Sequence, residues 1–531
     1  MERPTHRPDT FAAGLAYWAG ERPDTPATTF EGAVTDYRTL DDQASRIANA
    51  LVAAGLGVGD RIAYLGKNSD LAAQLMFGAA RAGVVMVPII WRLAPDEIAY
   101  ILGDSGAKLS FVGDQLEGSA VTAMAATGVD VPVIGMGLSS PTAYPAWADF
   151  AEWRDAQPAT DPGVAVSSDD VVVQLYTSGT TGKPKGAMLT HANGTSLRPL
   201  LDAAGLDWMS VSAGESVLHA MPFAHIAGVG TVTAAIYAGQ HLVITREFDP
   251  GLTLDIIETY GLKKMFLVPA ALGILLQHPK AATTDFSSLS AFSYGASPIP
   301  LDLLKRGVAV LKCGFAQAYG MTETWGTVVA LPPEDHMPER AHKMAAAGKA
   351  LPGVELKIID EAGNTLPCGS IGELAIKSPT NMKGYWNRPE ETAKTLIGDG
   401  WLRTGDACLI DEEGYVFIQD RIKDMIITGA ENVYPAEVES AVYGHADVAD
   451  VAVVGVPDDR WGEAVKAIVV RQPGTDPSAE SIIAFARTKI AGFKCPKSVD
   501  FVDALPRNPS GKILRRQLRE PYWAGRERRV N

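Results

Sequence analysis

The chain has 531 residues, 47% of them hydrophobic, 21% charged and 8% aromatic, with a formal net charge of −15. This is an ordinary globular composition with room for about two to four domains. The negative balance argues against nucleic acid as a partner, and no apolar run reaches the ~20 residues of a membrane span, so no transmembrane segment is expected.

The amino-terminal stretch MERPTHRPDTFAAG lacks an apolar h-region, so no signal peptide is expected. Residues 69–83, SDLAAQLMFGAARAG, repeat their apolar positions at helical spacing. VVMVPII (84–90) reads as a buried strand, PDEIAYILGDSG (95–106) as a helix and KLSFVGD (108–114) as a strand. VVVQLY (171–176) is β-branched and apolar and leads into a polar loop. IAGVGTVTAAIYAG (226–239) and MFLVPAALGILL (265–276) both read as buried helices. ELKIID (355–360) and YVFIQD (415–420) read as strands.

This alternation is α/β layering with mixed or mostly parallel sheets. The texture changes at residues 420–424. VADVAVVGVPD, EAVKAIVVRQPG and ESIIAFARTKIAG then form a strand–strand–helix set. The expected division is a large, multi-lobed domain over 1–420 and a small α+β domain over 421–531.

Cys313, Cys368, Cys408 and Cys495 are widely spaced and show no metal-binding pattern. Disulfides are not expected, which fits a reducing cytoplasm. The carboxyl terminus carries Arg507, Lys512, Arg515, Arg516, Arg519, Arg526, Arg528 and Arg529 against Glu520 and Glu527. Such a run reads as a solvated face or as a meeting place for an anion.

The polar loop is the chemically informative stretch. Residues 176–186 read YTSGTTGKPKG. The P-loop pattern G-x-x-x-x-G-K-[ST] is not met, because Pro184 follows Lys183. Gly179, Gly182 and Gly186 allow close backbone approach. Thr177, Ser178, Thr180, Thr181, Lys183 and Lys185 supply hydroxyls and charge. A polyphosphate loop and a flexible polar turn both satisfy this composition.

Further motifs follow in order: SYGASPIP (293–300), QAYGMTET (317–324), WLRTGD (401–406), DRIKDMIITGAENVYPAEVE (420–439) and PRNPSGKILRR (506–516). With the loop, the set resembles the adenylate-forming superfamily of acyl- and aryl-CoA synthetases, luciferases and peptide-synthetase adenylation domains. The resemblance spans almost the whole chain. It implies an AMP-forming ligase that activates a carboxylic acid with ATP and passes the acyl group to the thiol of CoA.

The resemblance also implies roles. Lys512 would bridge the carboxylate and the α-phosphate, and Thr322 would touch that phosphate. Glu323 and Thr177 would hold Mg2+. The loop Thr177, Ser178, Gly179, Thr180, Thr181, Gly182, Lys183 and Lys185 would cradle phosphates. Gly295, Ala296, Ser297, Ala318, Tyr319 and Gly320 would bracket adenine, and Asp406 with Arg421 would hold ribose. His225, Gly228, Ala318 and Trp325 would line an acyl pocket. No charged group stands out there, which favours an apolar acid, fatty before aryl. Lys423 would be a hinge, beyond which Gly429, Ala430 and Tyr434 would line the CoA tunnel. A carrier-protein thiol in place of CoA and a homodimer both stay open.

Two positions depart from the family pattern. Ala430 stands where a second glycine is common, and Ala318 stands where the family often reads Gln-Gly-Tyr-Gly.

Overall fold

The computed structural model describes residues 8–128, 131–177, 183–206, 208–209, 212–297, 299–429, 431–507 and 513–524. Among the described residues, the chain builds five β-sheets flanked by helices. The largest has eight strands. Its middle runs Val171–Thr177, Val85–Ile89, Arg61–Leu65, Leu109–Gly113, all parallel. Lys185–Thr190 adds antiparallel to Val171–Thr177, and Gly384–Tyr385 closes that edge.

A second sheet places Lys264–Leu267, Ala291–Gly295 and Gly314–Met321 side by side in parallel, then turns antiparallel. A third joins Ser216–His219, His241–Ile244 and Pro26–Phe30. The fourth is wholly antiparallel and includes Gly372–Lys377, Trp401–Ile410 and Val416–Arg421. Mixed and parallel pairing therefore coexist with one purely antiparallel layer. The last sheet pairs Val448–Asp458 with Gly462–Arg471 and packs its helices on that ribbon.

Local chemistry explains most of these elements. The helix Asp70–Arg81 starts where the Ser69 hydroxyl accepts from the Ala72 amide at 3.1 Å. It is buried nearly all round, with Leu75, Met76 and Phe77 inaccessible. One expectation fails. Residues 265–276 are not one buried helix but the strand Lys264–Leu267 followed by the helix Pro269–Gln277. Pro269 lacks the amide that a continuing helix needs but fits a first helical turn, so it divides the run.

All four cysteines are free. Among the described residues, no helix is long and apolar enough to cross a membrane.

Candidate active site

Parallel strands leave their carboxyl ends open, and ligands gather there in α/β sheets. Thr177 ends the strand Val171–Thr177, and Glu323 follows directly on Gly314–Met321. The Thr177 hydroxyl lies 3.2 Å from Glu323 Oε1, and the Tyr385 hydroxyl donates to the same oxygen at 2.8 Å. This node joins the eight-stranded sheet to the second sheet. Glu323 is 5% exposed. Burial, then the Glu323 charge, push the Tyr385 phenol up, so it stays a protonated donor.

A second node lies beside it. Asp406 and Arg421 are direct cross-strand partners, and Arg421 Nε meets Asp406 Oδ1 at 2.8 Å. The Tyr319 hydroxyl donates to Asp406 Oδ2 at 2.6 Å, and Arg421 also donates to the Thr404 carbonyl at 3.1 Å. Burial and the Asp406 charge push the Tyr319 phenol well up. Each carboxylate oxygen keeps a lone pair beyond these contacts, enough for two further donors.

Between the nodes the backbones touch. Gly295 pairs with Ala318 in parallel register, and a Cβ on Gly295 would lie 2.1 Å from the Ala318 carbonyl oxygen. On Gly320 it would lie 1.7 Å from the Gly326 carbonyl oxygen. Ala296 takes φ +68 and Trp325 φ +51, a region that costs a side chain about 1–2 kcal/mol. Strain of this kind collects at functional sites. Ser297 lines a cleft of about 380 Å³ whose other wall is the smaller domain, with Arg507, Ile513 and Arg515.

Of the residues expected at the site, Thr177 meets Glu323, and Tyr319 and Arg421 meet Asp406, while Thr322 shares the short turn Thr322–Thr324 with Glu323. Lys185 is near them but already occupied: Glu391 holds its ammonium at 2.9 Å, and the Tyr385 ring lies 4.6 Å away. Lys183 projects over the Tyr100 ring at 5.5 Å. Ser178, Gly179, Thr180, Thr181, Gly182, Ala430 and Lys512 lie outside the described residues.

His225 caps the amino end of the helix Ile226–Tyr237. Burial lowers its pKa to about 4, and its Nε2 is buried without a partner among the described residues. Gly228 sits where a Cβ would lie 2.0 Å from the Pro222 carbonyl oxygen. Trp325 stacks on the buried ring of Phe11 at 5.4 Å.

Lys423 lies in the short turn of helix Ile422–Asp424, between the fourth sheet and the last. Gly429 has φ +60 under the Trp461 ring. The basic run is not a free anion site over its described part. Arg507 pairs with Asp450, Arg515 with Glu439, Arg516 with Glu520 and Arg519 with Glu463. Acids from other elements neutralise Arg507, Arg515 and Arg519, which linear spacing does not reveal, whereas Arg516 and Glu520 are four apart on one helix. Tyr385 and Glu391 escape the sequence reading altogether. Their segment, GYWNRPEE, has no periodicity that points at a carboxylate 62 residues away.

The model of the AMP-binding enzyme family matches residues 15–386, and that of its C-terminal domain matches 437–512. The chain belongs to the AMP-binding enzyme family. A fatty acid–[acyl-carrier-protein] ligase, ScoC, of Streptomyces coeruleorubidus is 44% identical over 529 residues, 99% of each chain. A feruloyl-CoA synthase of Amycolatopsis is 38% identical over 523 residues, 96% of this chain and 99% of that one. ATP-bound MatB from Rhodopseudomonas palustris overlays with a TM-score of 0.85 at 33% identity, covering 97% and 99%. The family fixes the reaction class: this chain is an ATP-dependent, AMP-forming carboxylate–thiol ligase.

Proposed function

We propose that the chain activates a largely apolar carboxylic acid, a fatty acid first, and transfers it to the thiol of CoA. The observation that carries this reading is the pair of nodes, Thr177–Glu323–Tyr385 and Tyr319–Asp406–Arg421, which link the eight-stranded, second and fourth sheets. One offers a buried carboxylate to a cation. The other offers acceptors to sugar hydroxyls.

The acid's carboxylate oxygen attacks the α-phosphorus of ATP, and pyrophosphate leaves. The thiol sulfur then attacks the acyl carbonyl carbon, loses its proton, and AMP leaves. Positioning and charge stabilisation do most of the work in phosphoryl transfer. Asp406 and Arg421 orient the nucleoside, and the turn Gly295–Ser297 flanks the base. Lys512 brings positive charge to the α-phosphate. Glu323, with Thr177, would hold Mg2+, which supplies charge neutralisation on the phosphates. One buried carboxylate with an adjacent hydroxyl fits that ion, which takes few protein ligands when phosphates complete its shell. Neutral His225 offers an unpartnered ring nitrogen at the acid site, a hydrogen-bonding group without added charge.

Identity to a carrier-protein ligase over 99% of both chains favours a second acceptor, a pantetheinylated carrier protein. Both thiols end the same arm. The experiment is acid-dependent ATP–pyrophosphate exchange across a panel of fatty and aryl acids, followed by mass analysis of product formed with CoA and with carrier. Exchange with medium or long fatty acids and an acyl-CoA product are expected. Exchange with polar acids alone would overturn the acid assignment.

A further inference from the structure

Asp420 and Arg515 face each other across Lys423. Asp420 belongs to the larger domain, since its backbone pairs with Ala407 in the fourth sheet. Its carboxylate is nevertheless spent on the smaller one. It is 6% exposed, and Oδ2 accepts from the Ala436 amide at 2.8 Å, in the first turn of the helix Pro435–Tyr443. Arg515 Nη1 stands 3.6 Å from Oδ1.

Arg515 itself is fixed within the smaller domain. Glu439 takes its Nη2 at 2.6 Å and its Nε at 3.2 Å, and also accepts from the Val453 amide at 2.8 Å. Ala436, Glu439 and Arg515 therefore move as one body. Asp420 stays with the larger sheet.

We propose that Asp420 and Arg515 form a latch that holds the smaller domain in the arrangement described here and commits the enzyme to its adenylating half-reaction. This rests on the two-step ligase reading above and on rotation near Lys423. Such rotation parts Asp420 from the Ala436 amide and from Arg515 at once, and leaves it only the adjacent Arg421 amide, which donates to Oδ1 at 2.7 Å. A buried carboxylate that loses its cation and one of its two amide donors is disfavoured, so the arrangement resists until the carboxylate reaches water. Burial pushes Asp420 up to about 6, Arg515 opposing this and Glu439 adding to it.

The latch also reaches the chemistry. Arg515 is three residues beyond Lys512. Ile513 bridges to Arg507, the Leu514 amide donates to the Pro506 carbonyl at 2.8 Å, and Arg507 pairs with Asp450 at 2.6 Å. Both ends of the segment carrying Lys512 are thereby pinned, and Arg507 and Ile513 line the cleft that holds Ser297.

The test measures the half-reactions separately in Asp420→Asn, Arg515→Lys and the double variant, with Asp420→Glu as rescue. Acid-dependent pyrophosphate exchange is expected to fall about tenfold in each single variant and no further in the double, because partners in one contact are not additive. Conversion of synthetic acyl-AMP and CoA to thioester is expected to hold or rise, and Asp420→Glu to recover most of the exchange. Equal loss in both half-reactions, unchanged exchange, or multiplicative loss in the double variant would each overturn the latch. Absence of acid-dependent exchange in the unaltered chain would instead sink the ligase reading.

Discussion

Tyr385 is a residue whose value only its neighbours reveal. Its phenol shares Glu323 Oε1 with Thr177 and lies against the Lys185 ammonium. Tyr385→Phe removes one donor and leaves the ring, so pyrophosphate exchange should drop about tenfold, with the KM for the acid little changed. An unchanged turnover would detach Tyr385 from the site. His219 is different, for it carries both ring nitrogens buried and unpartnered among the described residues, and burial lowers its pKa to about 3. Replacing such a group by an apolar one recovers roughly 1 kcal/mol or more. His219→Leu should therefore raise the urea midpoint at pH 7. The sign with pH follows from His191, His219 and His225, which burial lowers from 6.5 to about 4, 3 and 4. The unfolded chain takes up protons first, so their contribution is present above pH 6.5 and is lost as pH falls toward 4. His219→Leu should flatten that loss, and a slope equal to the parent's would contradict the assignment.

Among elements, the parallel pair Ala291–Gly295 and Gly314–Met321 is drawn together at its carboxyl end. A Cβ 2.1 Å from a backbone oxygen cannot be accommodated by side-chain movement. Gly295→Ala must part the two strands at the very end that presents Ala318 and Tyr319. It should lower the melting temperature and raise the KM for ATP several-fold, while the KM for the acid moves less. Equal stability and equal KM for ATP would show that this approach is not needed. Gly228 and the turn before the helix Ile226–Tyr237 repeat the device. The reading of 265–276 as one helix fails at this scale too, since apolar content does not distinguish a buried strand from a buried helix and Pro269 decides it.

At the scale of the whole molecule, the proposed two-step reaction asks one smaller domain to serve both steps at one site. Lys423 stands in the only short connection between the fourth sheet and the last among the described residues. Lys423→Pro fixes φ near −65° there. Adenylation should survive, and thioester formation from acyl-AMP and CoA should fall at least tenfold. A variant that kept both rates would place the pivot elsewhere.

Much of this molecule is written locally. Apolar periodicity marks Asp70–Arg81, Val171–Thr177 and Val448–Asp458, because burial of one face or of both is a property of neighbouring residues. The ordered motifs from YTSGTTGKPKG to PSGKILRR give the family and the reaction class by resemblance, since a set of six in that order is carried along the chain itself. Tertiary structure alone decides who stands beside whom. It brings Tyr385 to Glu323 and Tyr319 to Asp406, spends Lys185 on Glu391 and the described carboxyl-terminal arginines on acids, and sets Asp420 against Arg515. The reason is range: propensity acts over a few residues, whereas a charge or a hydroxyl is satisfied by whatever chain the sheets carry to within 3 Å of it.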